Sequence, residues 1–256
     1  MILSGNLVGR PPHAVARNAQ SMVAAIEEGR AVYDNIRKFL TYFLTHNVPE
    51  AAALIAFVIL GIPLPLTVMQ VLAIDLGTDL LPALALGMEP PEPAIMQRPP
   101  RRRSERLLNR ATMRRVYMWL GPLESVMAMG AFFFAYWLAG APFGLPLPGD
   151  RAIYVTATTM TLTGIVACQV GNVFACRSGH QSVWQLGVLG NRTLLIGVGV
   201  AVILLLMLIC LPPFAAAFGL APLGVRHWLL LATFGPALLA LEEARKALRA
   251  GASNRP

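Results

Sequence analysis

The chain has 256 residues, of which 56% are hydrophobic and 13% are charged, and its formal net charge is +8. A soluble domain is typically about 45–50% apolar and about 25% charged, so this composition excludes an ordinary soluble protein and indicates a polytopic membrane protein. The cysteines Cys168, Cys176 and Cys210 lie in or beside apolar runs without a CxxC pair. We therefore expect no soft-metal site.

Six apolar stretches approach the length of about 20 residues that a membrane-spanning helix needs. In chain order they cover residues 39–60, 66–88, 116–139, 153–176, 194–211 and 227–241. We expect an all-α fold in which these six transmembrane helices belong to one domain, residues 18–250. A cytoplasmic segment, 1–17, precedes that domain, and a short tail, 251–256, follows it.

The segment before the first span is amphipathic. Val23, Ile26, Val32, Ile36 and Phe39 recur at helical intervals. A continuous helix over residues 21–60 would be about 60 Å long, roughly twice the thickness of the hydrocarbon core. We therefore predict that residues 18–38 form a stalk that projects into the cytoplasm.

Basic residues are concentrated on one side of the predicted spans. Of 21 Lys and Arg residues, Arg151 and Arg226 lie near one side, and the remaining nineteen lie near the other. The positive-inside rule then places both termini in the cytoplasm of an integral protein of the plasma (inner) membrane. The start of the chain has no apolar core long enough for a secretory signal.

The basic excess is therefore interpreted mainly as a topology signal. Nucleic acid is not an expected partner. Contact between anionic lipid headgroups and the arginine run at 101–103 is a secondary alternative.

Polar side chains interrupt the first predicted span at "THNVPE". Asn47 and Glu50 are three residues apart, so they share a helical face. Pro49 has no amide hydrogen for the carbonyl of Thr45, which frees a backbone oxygen at membrane depth.

The second predicted span contains "IDLGTD", in which Asp75, Thr78 and Asp79 share a face. Gly77 and the nearby Pro82 favour a local unwinding around Gly77, which would expose further carbonyls.

Together the two spans supply an all-oxygen ligand set of the kind that hard cations prefer. Carboxylates on Glu50, Asp75 and Asp79 would repel one another in a low dielectric unless a cation or a proton neutralised them. We therefore predict a cation site between the two spans. The alternative is that protonated acids form hydrogen bonds that only pack the helices.

Four further polar residues are weaker candidates. Gln169 and Asn172, in "CQVGN", either join two helices by a hydrogen bond or act as more distant ligands. His46 either tunes the charge of Glu50, four residues on, or packs as a neutral imidazole. The lone Glu124, in "GPLESVM", fits a packing or interface role.

The segments "SMVAAIEEGRAVYDNIRKFLTYFLTHNVPE", "IPLPL" and "IDLGTDLLPALALGMEPPEPAIMQRPPR" resemble the C-terminal membrane half of type II P-type cation-transporting ATPases. The resemblance covers about residues 18–249 and would make the six helices the fifth to tenth of that family. "NVPE" and "IDLGTD" are most similar to the sodium/potassium-pump branch and its bacterial relatives.

The resemblance implies which residues bind the transported ion. The family's ligand positions fall on Asn47, Glu50, Asp75, Thr78 and Asp79, with Gln169 and Asn172 at ligand positions of the eighth helix. His46 stands where the family has a small hydroxyl, or the lysine of the proton/potassium pumps.

The resemblance also implies ATP-driven cation transport for the parent family, but this sequence lacks its "DKTG", "TGE", "GDG…ND" and "PEGLP" motifs. We therefore expect no ATP hydrolysis by this chain alone and no resident cofactor. Its expected partners are the lipid bilayer, a hard cation (Ca²⁺, Na⁺, K⁺ or H⁺) and a chain that supplies the missing helices and cytoplasmic domains. Mg-ATP would act only with those domains.

The predicted function is thus a membrane transport domain that holds part of a cation site, as a fragment or a split subunit. Two alternatives remain at this point. The chain is either a stand-alone channel, leak or regulator, or a degenerate remnant of a pump without transport.

The charge asymmetry generates a testable topology. Single cysteines introduced by Gly149→Cys and Ser104→Cys should react with a membrane-impermeant maleimide from opposite faces of the membrane, because a span lies between every pair of successive connectors. The parent chain, with its three native cysteines, gives the background. Labelling of both positions from the same face would contradict the six-span topology.

Overall fold

The computed structural model describes residues 12–92, 95–99, 106–141, 144, 146–179, 181–187 and 190–253. These residues form helices joined by short connectors, with no β-strand among them. The prediction of an all-α fold is therefore confirmed.

Six long helices make up the bundle, and we number them in chain order. They are α1 (Pro12–Leu60), α2 (Val68–Gly87), α3 (Arg110–Leu138), α4 (Arg151–Cys176), α5 (Arg192–Cys210) and α6 (Val225–Ser253). Short helices at Ile95–Gln97, Val183–Leu186 and Pro212–Phe218 lie in the connectors.

Within the described ranges, α1 to α5 are long and apolar enough to cross a membrane, and α6 is not. The predicted sixth span falls within α6, but Arg226 and Glu242 bracket its apolar part closely. A crossing by α6, and with it the division of the chain into domain and tails, stays a prediction.

The long first helix is continuous over 49 residues, from Pro12 to Leu60. At 1.5 Å per residue it is about 74 Å long. Its first half carries exposed apolar side chains, among them Met22, Val23 and Ile26. The apolar face of the predicted stalk is therefore uncovered in this chain.

Local sequence signals explain where the helices begin and end. Gly61, in the left-handed region with φ of 63°, follows the last residue of α1 and allows the chain to turn. Thr67 and Gln70 form a reciprocal capping box at the start of α2. Asp150 caps α4, where its Oδ1 accepts a hydrogen bond from the amide of Ala152 at 2.7 Å.

The core is centred on α4, which packs against α3 and α6. Fully buried side chains include Phe132 and Met160. Gly171 of α4 meets Gly235 of α6 so closely that a Cβ on Gly171 would lie 2.3 Å from the Gly235 carbonyl oxygen. Glycine is therefore required at this crossing, as is common where membrane helices approach closely.

A buried polar latch joins four elements at the end of α2. The Glu89 carboxylate accepts hydrogen bonds from Arg177 Nε at 2.8 Å and from Asn191 Nδ2 at 2.6 Å. The backbone carbonyl of Glu89 accepts one from Asn35 Nδ2 at 2.6 Å. Because Asn35 lies on α1 and Asn191 precedes α5, this Glu89 latch ties the stalk to the ends of α2, α4 and α5.

Substitution of the latch carboxylate should destabilise the bundle. Glu89→Gln leaves the charge of the buried Arg177 without its partner, and such a loss costs about 3–5 kcal/mol. Chemical unfolding in mixed micelles measures the change in unfolding free energy. Glu28→Gln, at an exposed stalk position, is the matched control and should change it by less than about 0.5 kcal/mol. Equal effects from the two substitutions would contradict a structural role for the latch.

Candidate intramembrane cation site

The predicted site residues of the first two spans lie on facing stretches of α1 and α2, and the backbone of α2 differs there from the prediction. Residues Ala73–Asp79 are π-helical, and Leu72 and Leu80 on either side are regular α-helix. The predicted unwinding around Gly77 is therefore wrong. The chain stays helical but widens, and wide turns of this kind often occur at functional sites.

Glu50 and Asp75 form a carboxyl pair across the contact between α1 and α2. The two side chains are close enough to interact electrostatically across this contact. Both are half-buried, and Glu50 Oε1 has no hydrogen-bond partner among the described residues. Two interacting carboxyls in a partly buried position repel each other when both are ionised, so a proton or a cation is needed to neutralise them.

Asp79 is turned towards a different partner, the imidazole of His46. His46 Nε2 lies 3.6 Å from Asp79 Oδ1, and His46 Nδ1 lies 3.1 Å from Glu124 Oε2 on α3. His46, Asp79 and Glu124 are all at most 2% exposed. The ring of Tyr42 packs edge-on against the imidazole, with 4.1 Å between ring centroids. His46 therefore bridges two buried carboxyls.

Glu124 is the site-associated residue to which sequence reasoning gave a packing or interface role. A glutamate in an apolar span was itself a signal of function. Its partner His46 is 78 positions away, so only the packing of α3 against α1 reveals the pair.

Thr78 connects α2 to the weaker candidates on α4. Its hydroxyl lies 3.1 Å from the carbonyl oxygen of Ile74 and 3.3 Å from Gln169 Oε1. Tyr42, Thr78 and Gln169 line a small cavity of about 10 Å³, close to the size that one water molecule needs. Gln169 is therefore next to the predicted ligands.

Asn172 and Asn47 form hydrogen bonds within their own helices. Asn172 is fully buried one turn beyond Gln169, and its Oδ1 accepts a hydrogen bond from Cys176 Sγ at 3.2 Å. Asn47 is exposed, and its Nδ2 donates to the Phe43 carbonyl of its own helix at 3.2 Å. Asn47 thus bonds within its own helix in this chain.

The acidic groups consequently form two neighbouring units, the Glu50–Asp75 pair and the Glu124–His46–Asp79 bridge. Within the ranges that the structure describes, no three His, Cys, Asp or Glu side chains are arranged to hold a metal ion. The geometry supplies two adjacent half-buried carboxyls and, among the described residues, no complete coordination shell.

Comparison with known proteins identifies the fold to which these helices belong. The family described as "Cation transporting ATPase, C-terminus" matches residues 63–248. This chain belongs to that family. It is therefore an integral membrane protein of the P-type ATPase type, and the prediction of a C-terminal transmembrane region is confirmed.

Individual relatives agree with the family. The sodium/potassium-transporting ATPase subunit alpha-2 of Gallus gallus is 31% identical over 257 residues, which cover 90% of this chain and 25% of that protein. The human alpha-2 subunit and the alpha-4 subunit of Rattus norvegicus are each 30% identical with the same coverage. The chain therefore spans about a quarter of the length of these relatives.

The bridge should be energetically coupled. His46→Gln and Glu124→Gln each disrupt the same buried pair, so their combined cost should fall short of the sum of the single costs by about 0.5–3 kcal/mol. A double-mutant cycle in mixed micelles measures this difference. His46→Gln combined with Glu28→Gln, whose carboxylate is exposed on the stalk, is the control and should be additive. Additive costs for both pairs would contradict the bridge.

Proposed function

We propose that this chain holds one half of the intramembrane cation site of an ATP-driven cation pump. The observation that supports this most strongly is the Glu50–Asp75 pair, two facing carboxyls on helices that are apolar enough to span a membrane. Inorganic hard cations such as Ca²⁺, Na⁺, K⁺ or H⁺ fit this oxygen-rich environment, since carboxylate oxygens are their preferred ligands. The cation is the transported substrate.

The open side of the pair supports a partner that completes the site. Glu50 and Asp75 are half-buried, and Asn47, three residues before Glu50 on α1, is exposed. A charged side chain that faces lipid at the centre of the bilayer costs at least about 2.5–3.5 kcal/mol. Further helices that cover this side would remove that cost and contribute the remaining ligands, including a role for Asn47.

The ligand roles divide according to the two acidic units. Glu50 and Asp75 provide the negative charge nearest to the open side, and they bind the cation directly. Asp79 already interacts with His46, so it reaches the ion only if that contact loosens. Thr78 and Gln169 contribute neutral oxygens from the closed side, and Asn172 acts at one further turn along α4.

In this proposal, ATP hydrolysis is carried out by parts of the pump other than these residues. The relatives that match this chain are about four times longer, and their names describe ion-transporting ATPases. In the proposed assembly, missing helices and cytoplasmic domains bind Mg-ATP and act on the uncovered stalk face of α1. The charge asymmetry of the connectors favours both termini in the cytoplasm, and the plasma membrane is the proposed location.

Cation-dependent thermal stability in detergent tests this function. A cation at ten times its Kd should raise the unfolding free energy of the wild-type chain by about 1.4 kcal/mol, which corresponds to about 3–6 °C in Tm. Na⁺, K⁺ and Ca²⁺ are titrated to millimolar levels against choline at constant ionic strength. Glu50→Gln and Asp75→Asn should abolish the response, because each removes a full ligand charge.

Glu28→Gln on the exposed stalk is the matched control and should respond as the wild type does. If the wild type is not stabilised by any of these cations, or if Glu50→Gln and Asp75→Asn are stabilised as much as the wild type, the carboxyl pair is not a ligand site and the proposal fails.

A further inference from the structure

A large basic cavity lies outside the cation site, at the stalk end of the bundle. Its volume is about 670 Å³, and it is enclosed by the stalk half of α1, the start of α3, the connector after α4 and the far half of α6. Seven of its described lining residues are arginine or lysine, and two are acidic. Volumes of about 300–1,000 Å³ are typical of sites for small ligands.

On the α1 side of this cavity, two carboxylates pair with part of the basic lining. Arg98 binds Asp34 at 2.9 Å and also contacts Glu92. Lys38 lies 3.7 Å from Glu92. Two of the cations on the α1 side are thus paired with carboxylates, and Arg30 donates to the backbone carbonyls of Ile95 and Arg98.

The opposite side, between α3 and α6, carries excess positive charge. Arg115 and Arg245 both bind the single carboxylate of Glu242, at 2.7 and 2.6 Å. Arg249 lines the same side one helical turn beyond Arg245. Partial burial, and then the positive charges of Arg245 and Arg114, lower the pKa of Arg249 below its usual range. Like charges are held together there without enough anionic partners.

Two guanidinium groups on this side also keep unused donors. The side chains of Arg115 and Arg245 are each only 10% exposed. Arg115 Nε and Arg245 Nη1 are nevertheless buried without a hydrogen-bond partner in the described part of the chain. A buried donor without a partner costs about 1–3 kcal/mol, and more when it is charged. Both side chains line the cavity, so a ligand that accepts hydrogen bonds would lie next to these guanidinium groups.

We propose that this cavity binds a phosphate monoester group, held by Arg115, Arg245 and Arg249. Phosphate supplies several acceptor oxygens and up to two negative charges, which match forked guanidinium donors better than a carboxylate does. The cavity lies where the apolar parts of α3 and α4 begin and end, next to Val116 and Cys176. The group therefore belongs either to a free phosphate or to a lipid headgroup that enters from the membrane surface.

The two sources are distinguished by thermal unfolding of the full chain in detergent micelles. One arm titrates inorganic phosphate against chloride at constant ionic strength. The other adds phosphatidic acid, whose headgroup is a phosphate monoester, against the same amount of phosphatidylglycerol, whose headgroup is a diester. A rise in Tm in the first arm identifies free phosphate as a sufficient ligand, and a rise in the second arm alone identifies the lipid headgroup.

Variants connect either response to the arginines. Arg249→Gln, at the most exposed of the three positions, should raise the apparent Kd about tenfold or more, as expected for one charge-assisted hydrogen bond. Arg115→Gln should do the same, but it also breaks a contact with Glu242 that supports folding. Arg226→Gln, at the exposed opposite end of α6, is the matched control and should retain the wild-type Kd.

The proposal is overturned if neither phosphate nor phosphatidic acid raises Tm above its matched control. It is also overturned if Arg249→Gln binds as tightly as Arg226→Gln does. Both outcomes are independent of Glu50 and Asp75, so they do not bear on the cation site.

Discussion

A polar group buried in a membrane protein must find its partners within the fold, and in this bundle His46 lies against two carboxyls at once. Its two ring nitrogens face Asp79 on α2 and Glu124 on α3. Without the imidazole, both acids would be left in an apolar interior, where an unpaired charge is several times more costly than a missed neutral hydrogen bond. The positions of α1, α2 and α3 relative to one another therefore depend on this single side chain.

The close approach of α3 to α1 depends in turn on Gly121. A Cβ at that position would lie 2.6 Å from Val48 Cγ2, which is two residues beyond His46. Any larger residue would push α3 away and draw Glu124 out of reach of the imidazole. The Gly171–Gly235 crossing plays the corresponding role for α4 and keeps Gln169 against Thr78. Small residues thus set the backbone spacing, and the spacing determines which polar groups can meet.

The sequence alone was enough to predict the long helices. It also placed Glu50 on α1, and Asp75 and Asp79 on α2. Hydrophobic length and helical periodicity are local properties, so they are readable without a structure. The predicted neighbours Asn47 and Glu50 show the limit of this approach. Three residues along a helix differ by about 60° in direction, and Asn47 is exposed here where Glu50 is half-buried. The π-helical turn at Ala73–Asp79, the His46–Glu124 contact and the basic cavity all depend on tertiary packing, which no local pattern encodes.

The continuous first helix has a mechanical property that follows from its own hydrogen bonds. The hydroxyls of Thr41 and Thr45 both donate to the carbonyl four residues earlier, at 2.7 Å, and Pro49 removes the next backbone bond of the series. Threonines bonded in this way and a proline are the usual causes of helix bending. The stiffness of this long lever is therefore lowest over the turns that carry His46 and Glu50. A force applied to the stalk would therefore bend α1 at His46 and Glu50. The most flexible part of this helix is the part that carries the candidate site residues.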